Sequence, residues 1–326
     1  MDLSTNYLGL SLHNPIIVAS CGLTKTVEQI KQCEQAGAGA VVMKSLLEEQ
    51  LRESDADMEQ AISMHSEVMG YLHADISMRY GSGEYTATIE QAKKEVSIPV
   101  IASVNCFTSK WWTQYAKQIE DAGADALELN VYIMPMNFEK SSSDLENMYV
   151  DILQAVKAQV KIPVAMKLPL YFTSFGNFAT KLEWSGADGL VLFNRFVQPD
   201  IDISNLTTTI KPSFNDPVGF GRTLRWTAML SENLELDIAA TGGIRDATAM
   251  IKLLLAGASA VQIASALYGE HGMEKIRKML AGLEEWMTAK NFTTINEFKG
   301  KLNQNNSPQS AAYIRAQYIK SIAGIE

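Results

Sequence analysis

The sequence predicts an α/β fold, a TIM (β/α)8 barrel with long loops after strands two and six at its C-terminal face. Three observations carry the prediction. Eight short apolar runs alternate with helix-period stretches along the 326 residues. The runs are nearly continuous rather than alternating in polarity, as in parallel strands whose outer face is covered. The last quarter, residues 237–268, reads DIAATGGIRDATAMIKLLLAGASAVQIASALY: strand, glycine turn, helix, strand, then a further helix opening at Ser265. In a barrel the phosphate site follows strands seven and eight, beside a helix N-terminus.

Each element has a local reason. Four helical stretches end in Gly-Ala and lead into a strand: Gly37 before AVVMKS, Gly123 before ALELNV, Gly186 before GLVLFN and Gly257 before AVQIAS. Glycine takes the left-handed position just past a helix C-terminus. Between them lie PIIVAS (15–20), PVIASV (99–104), PVAMKL (163–168) and DIAATG (237–242), of which three begin after proline, a residue suited to a strand's first position. Interleaved, the two sets give eight βα units, and therefore a closed barrel. An open doubly wound sheet is disfavoured because no G-x-G-x-x-G follows the first strand. The whole chain, 1–326, reads as a single domain. Residues 46–85 and 195–224 are longer than a barrel requires and follow strand C-termini, so they read as lids. Residues 291–326 read as a polar, helical tail around an NQNNSPQS loop. Asp246, after the Gly-Gly turn, reads as a helix cap beside Arg245.

Composition narrows the function classes. A formal charge of −9 argues against a nucleic-acid groove, and 47% hydrophobic with 20% charged residues describes an ordinary enzyme-like globule. Cys21, Cys33 and Cys106 lack CxxC spacing, so neither a disulfide framework nor a metal cluster is expected. Met1-Asp2-Leu3-Ser4 lacks the basic start and apolar core of a secretion signal, and no apolar run reaches bilayer length. The expected compartment is cytoplasmic, with no membrane and no nucleic acid among the partners.

The chemistry shows at the strand ends. In order they carry Ser20-Cys21, Lys44-Ser45, Asn105-Cys106, Asn130, Lys167, Asn194, Thr241-Gly242-Gly243 and Ala264-Ser265. Lysines and amides converging on one rim suit a flat, hydrogen-bonding, phosphorylated cofactor. Amides meet ring edges, lysine meets negative charge, and Gly242, Gly243 and Ser265 meet a phosphate. Flavin mononucleotide (FMN) fits that description. A sugar phosphate matches the phosphate end equally but gives less use to Lys44 and Asn130.

Taken together, these residues resemble the soluble class of dihydroorotate dehydrogenases. The matching stretches are Asn14-Pro15 with Ala19-Ser20, Met43-Lys44-Ser45, Glu128-Leu129-Asn130, Lys167-Leu168-Pro169, Asn194, Gly219-Phe220-Gly221, ATGGI and Gln262 to Leu267. The resemblance implies that Ala19, Ser20, Lys44, Ser45, Asn130, Lys167 and Asn194 line FMN, beside Asn105 at the same rim. It implies that Gly221, Gly242, Gly243, Ala264 and Ser265 hold the phosphate side. Lys44 would face flavin and substrate, and Asn130 and Asn194 would also face the substrate. A homodimer and a soluble electron acceptor such as fumarate are implied too; the chain has no iron–sulfur motif of its own.

The departures are as informative. The family reads Asn-Leu-Ser-Cys-Pro-Asn after strand four, its cysteine serving as general base. This chain reads Asn130-Val131-Tyr132-Ile133-Met134-Pro135, with isoleucine at the base position. The family's substrate loop Asn-Ser-Met-Gly-Leu-Pro-Asn is replaced by Ile62-Ser63-Met64-His65-Ser66-Glu67-Val68. The chain is similar to the divergent, dihydroorotate dehydrogenase-like branch. Cys106, ending strand three, is the candidate substitute base, ahead of Tyr132 and His65. Three readings stand: a dihydroorotate-type FMN dehydrogenase, an FMN oxidoreductase for another cyclic-amide or unsaturated substrate, and a flavin-bound barrel without turnover.

Overall fold

The computed structural model describes residues 1–47, 82–105, 109–194, 199–210, 217–268 and 271–314. Eight parallel strands form a closed ring: β3 (Ile16–Val18), β4 (Ala40–Val42), β6 (Val100–Asn105), β7 (Ala126–Asn130), β8 (Val164–Leu168), β9 (Gly189–Leu192), β12 (Asp237–Thr241) and β13 (Ala260–Ile263). Neighbours pair in chain order, and the ring shuts where β13 meets β3 through Gln262 and Ile17. The barrel reading therefore holds. Helices α1 (Val27–Gln35), α2 (Ser82–Glu95), α3 (Ser109–Asp121), α4 (Ser142–Lys157), α5 (Phe175–Trp184), α6 (Pro217–Leu230), α7 (Ala247–Leu255) and α8 (Glu274–Lys290) follow the strands. Gly37, Gly123, Gly186 and Gly257 all take positive φ after their helices, as the repeat predicts.

Strand residues divide by parity. One set, including Val41, Val100, Leu127, Met166, Leu190, Ile238 and Val261, is buried against the helices. The alternate set faces inward, and at the barrel's N-terminal end it is small: Ala40, Ala126, Ala165, Ala239 and Ala260. The space they leave is filled from below. An antiparallel hairpin, β1 (Thr5–Tyr7) and β2 (Leu10–Leu12), packs Tyr7, Leu8 and Leu12 against this inner layer. Its two-residue turn holds Leu8 and Gly9 at positive φ, the geometry that matches strand twist. Asp237 at the base of β12 fastens the plug, accepting the Leu8 N–H at 2.8 Å and the Ser259 hydroxyl at 2.7 Å. The hairpin was not foreseen, because each of its strands is three residues long.

Three expectations need correction. Ser265 opens a four-residue 3-10 turn, Ser265–Tyr268, not a full helix. Gly219, Phe220 and Gly221 lie within α6 rather than in the preceding connection, because Pro217 supplies a residue preset for the first helical turn. The described part of the tail holds 3-10 turns (Ile295–Glu297 and Ser310–Tyr313) in place of a helix, with Ile295 and Phe298 buried as anchors. Of the connection after strand six, residues 199–210 form an exposed hairpin, β10 (Pro199–Asp202) and β11 (Thr207–Ile210). The connection after strand two lies outside the described residues beyond β5 (Leu46–Leu47) and the start of α2. Among the described residues no helix is long and apolar enough to cross a membrane.

Asp237→Ala leaves the Leu8 N–H without its acceptor. The expected loss is about 1–3 kcal/mol of unfolding free energy, the usual cost of such an orphan. Urea unfolding would measure it, and a loss below about 0.5 kcal/mol would show that Asp237 does not fasten the plug.

Candidate active site

The strand ends predicted from sequence meet at one rim. On one side, hydroxyl groups link the first three barrel strands. Ser45 donates its N–H to Ser20 Oγ at 2.8 Å, and the two hydroxyls lie 3.0 Å apart. The Ser45 hydroxyl lies 2.8 Å from that of buried Ser103, two residues before Asn105. Tyr85 of α2 locks Ser103 by accepting its N–H at 2.9 Å and donating to its carbonyl at 3.1 Å. Ala19 is buried and donates its N–H to Ile263 at 2.9 Å, tying strand one to strand eight. Lys44 is half-buried; its N–H bonds the Thr24 carbonyl, and no described residue pairs with its ammonium.

Across the rim, register places Asn130 directly beside Lys167. Asn194 donates its amide to Asn130 Oδ1 at 2.6 Å, while its backbone N–H is held by Leu168. Lys167 is only 7% exposed, and its ammonium meets Glu128 Oε1 at 3.1 Å. Gln262 donates to Glu128 Oε2 at 2.6 Å and is 1% exposed, as is Glu128. Gln262 Oε1 and the Tyr7 hydroxyl, both inside the barrel, have no partner among the described residues. Burial holds the Tyr7 phenol well above its usual range, reinforced by the charges of Glu128 and Asp237.

Gly242 and Gly243 take φ values of 96° and 72°, a pair of backbone positions that a side-chain-bearing residue resists. A Cβ added at Gly242 would meet nothing within 4 Å, so open space lies over this turn. Ala264 and Ser265 stand half-buried beside it, and Gly221 is exposed in the second turn of α6. Asp246 caps α7 by accepting the Ala249 N–H at 2.8 Å, the structural role its position predicts. Among the described residues no cluster of three or more His, Cys, Asp or Glu could hold a metal ion.

The base candidates fare differently. Cys106 and His65 lie outside the described residues. Ile133 is half-buried and packs against the apolar core. Tyr132 is partly exposed, and burial followed by the neighbouring Tyr171 raises its phenol, which keeps its proton at neutral pH. Among the described residues, Cys21 feels the Lys167 charge, its thiol pushed up by burial against the opposing pull of Leu23, Tyr268, Thr24 and Lys167.

Open space over a positive-φ glycine pair, a cation without an acidic partner among the described residues, and two linked amides suit a planar, anionic ligand with hydrogen-bonding edges. The strand-end positions alone give no role to Ser103, Glu128 or Gln262, which lie one layer below the rim. Parity was the available signal: Ser103, Glu128 and Gln262 each precede a rim residue by two positions, so they face the same interior.

Comparison with known proteins places the chain. The dihydroorotate dehydrogenase family profile matches residues 2–287. The catalytic subunit of dihydroorotate dehydrogenase B (NAD(+)) from Thermoplasma volcanium is 30% identical, covering 92% of this chain and 98% of the relative. The protein of the same description from Methanocella arvoryzae is 30% identical over 89% and 95%, and that from Methanocaldococcus jannaschii 29% over 93% and 98%. A closed parallel barrel with its polar rim, matched over nearly its whole length, leaves one assignment: the chain belongs to the dihydroorotate dehydrogenase family, flavin-dependent oxidoreductases acting on CH–CH groups.

Proposed function

We propose that this protein is an FMN-dependent dehydrogenase of the dihydroorotate type, oxidising a CH–CH bond in a cyclic-amide substrate. The observation that carries the reading is that Lys44, Asn130, Lys167 and Asn194 follow or end barrel strands at the same rim as the Gly242–Gly243 turn, with Asn194 just past the strand next to it. Gly242, Gly243, Ala264, Ser265 and Gly221 would hold the phosphate side. Ala19, Ser20, Ser45, Asn105, Asn130, Lys167 and Asn194 would line the ring and its chain. FMN, when bound, supplies the hydride acceptor. Lys44 would stabilise negative charge on the reduced ring, and Asn130 and Asn194 would orient the substrate through their amides. A single phosphate turn without a dinucleotide fingerprint favours FMN over a larger flavin.

The base is the point at which the substrate assignment turns. Oxidising dihydroorotate removes a C5 proton as hydride leaves C6, and Ile133 has no lone pair to receive that proton. The altered residues 62–68 also lie where the family reads substrate. Both features favour a second reading, another unsaturated or cyclic-amide substrate on the same flavin. Acceptors divide between fumarate, implied by the resemblance, and NAD(+), which the relatives carry in their names. Unbridged Cys21 and Cys33 support a reducing compartment such as the cytoplasm. Exposed Ile201, Ile203 and Leu206 on the β10–β11 hairpin support burial between two copies in a homodimer.

The purified protein should be yellow and release FMN on denaturation. A colourless protein that takes up no FMN on reconstitution sinks the cofactor assignment. Lys44→Ala should keep FMN yet slow its reduction by at least ~10-fold, about 1.4 kcal/mol of barrier, and an unchanged stopped-flow rate would remove Lys44 from catalysis.

Dihydroorotate turnover should run at least ~100-fold below that of a cysteine-bearing relative, the usual worth of a general base. Ile133→Cys should raise it, and Cys106→Ala should erase what remains if that thiol substitutes. Robust turnover by the unmodified protein, indifferent to Cys106→Ala, would assign proton removal elsewhere.

A further inference from the structure

Beneath the rim, the two lysines of the site are held differently. Lys44 has no acidic partner among the described residues, whereas Lys167 is paired with Glu128 at 3.1 Å. That pair is buried inside the barrel, where well-packed apolar residues are often as stabilising as an ion pair. Stability alone therefore does not account for it. The cost is visible at Gln262: a carboxylate only accepts, so the amide must turn its N–H to Glu128 and leave Oε1 unpartnered. Replacing the whole pair by neutral residues would remove both penalties, whereas replacing Glu128 alone would leave the Lys167 ammonium buried without its counter-charge.

We propose that Glu128 is a positioning residue for flavin reduction: its carboxylate holds the Lys167 ammonium in place, so that a cation would stand at the flavin site in both redox states. The inference rests on the FMN reading above. During turnover the substrate's CH–CH bond gives a hydride to the flavin and a proton to a base, leaving C=C in the product and negative charge on the reduced ring. Lys167 neither supplies nor takes up a proton in that exchange; it stabilises the charge that develops. The groups facing the pair do not compete. Cys21, from the turn after β3, is a thiol raised chiefly by burial. Tyr7, from β1, is raised by burial and by Glu128 and Asp237. Lys44, on the strand-two rim, is the other cation, and Gln262 of β13 is neutral.

Glu128→Gln isolates the charge. The new amide accepts from Lys167 with its oxygen and donates to Gln262 Oε1 once that amide turns round, so the hydrogen bonds survive. The midpoint potential of bound FMN, measured from about pH 6 to about pH 9, is the readout. At the acid end E128Q should be at least about tenfold easier to reduce, or about 30 mV for a two-electron couple, because the ammonium is no longer neutralised.

In a Lys167→Met background the second substitution should shift the potential by less than it does beside the lysine, because the ammonium through which Glu128 acts is gone. Should E128Q fail to fold, Glu128→Asp withdraws the same carboxylate by one methylene and should shift the potential from the wild-type value over the same pH range. Coincident potentials for wild type and whichever of these two variants folds overturn the proposal, as does an equal E128Q shift in the Lys167→Met background. Failure of the wild-type protein to take up FMN is a separate result, and it overturns the cofactor reading together with this inference.

Discussion

A charge inside a closed barrel has no water to turn to, so it must find its partner among the inward-facing residues of other strands. Glu128 and Lys167 meet that requirement across the β7–β8 pair, and Gln262 adds a donor from β13. Register decides the contact: pairing Asn130 with Lys167 brings residue 128 within reach of the ammonium. A slip of one strand by one residue would turn its charge to the outer face, away from its partner. Removing one partner of such a pair typically costs about 3–5 kcal/mol, so the polar layer constrains the barrel as firmly as the apolar one.

The layers below and above follow from that one. Alanines at the inner N-terminal positions make room for Tyr7, and the hairpin that delivers it is fastened by Asp237 at the foot of β12. The plug closes the barrel's lower end and leaves the upper rim as the place where polar side chains can meet a ligand. There the Ser20–Ser45–Ser103 chain and the Asn130–Asn194 pair are already hydrogen-bonded, so their orientations do not wait for a ligand to set them. That is the condition under which fixed dipoles stabilise developing charge with little reorganisation.

Of the two departures from the family pattern, the one within the described residues sits in a connecting segment, not in this scaffold. Ile133 follows β7 in a stretch whose neighbours Met134, Met136 and Phe138 are exposed, while the strand that carries Asn130 keeps its register. Substrate chemistry can drift in such a connection while cofactor contacts stay fixed, because a connecting segment carries little of the packing that holds the barrel. A polar rim carried on barrel strands and an isoleucine in the connection after β7 are therefore physically compatible.

The sequence by itself determined the barrel, the strand order and the rim. Gly-Ala helix ends, proline strand starts and continuous apolar runs are local signals, and each is set by backbone conformation within a few residues. The same is true of the Gly242–Gly243 turn and the Asp246 cap. Only the tertiary structure decided which rim residues touch. The Glu128–Lys167–Gln262 contacts and the Ser45–Ser103 link join residues 39, 134 and 58 positions apart in the chain. It also decided that Tyr7 fills the barrel, since a three-residue strand carries too little pattern to announce itself. The reason is common to all of these: hydrogen bonding and burial across a barrel depend on shear and register, which are properties of the closed ring and of no single segment.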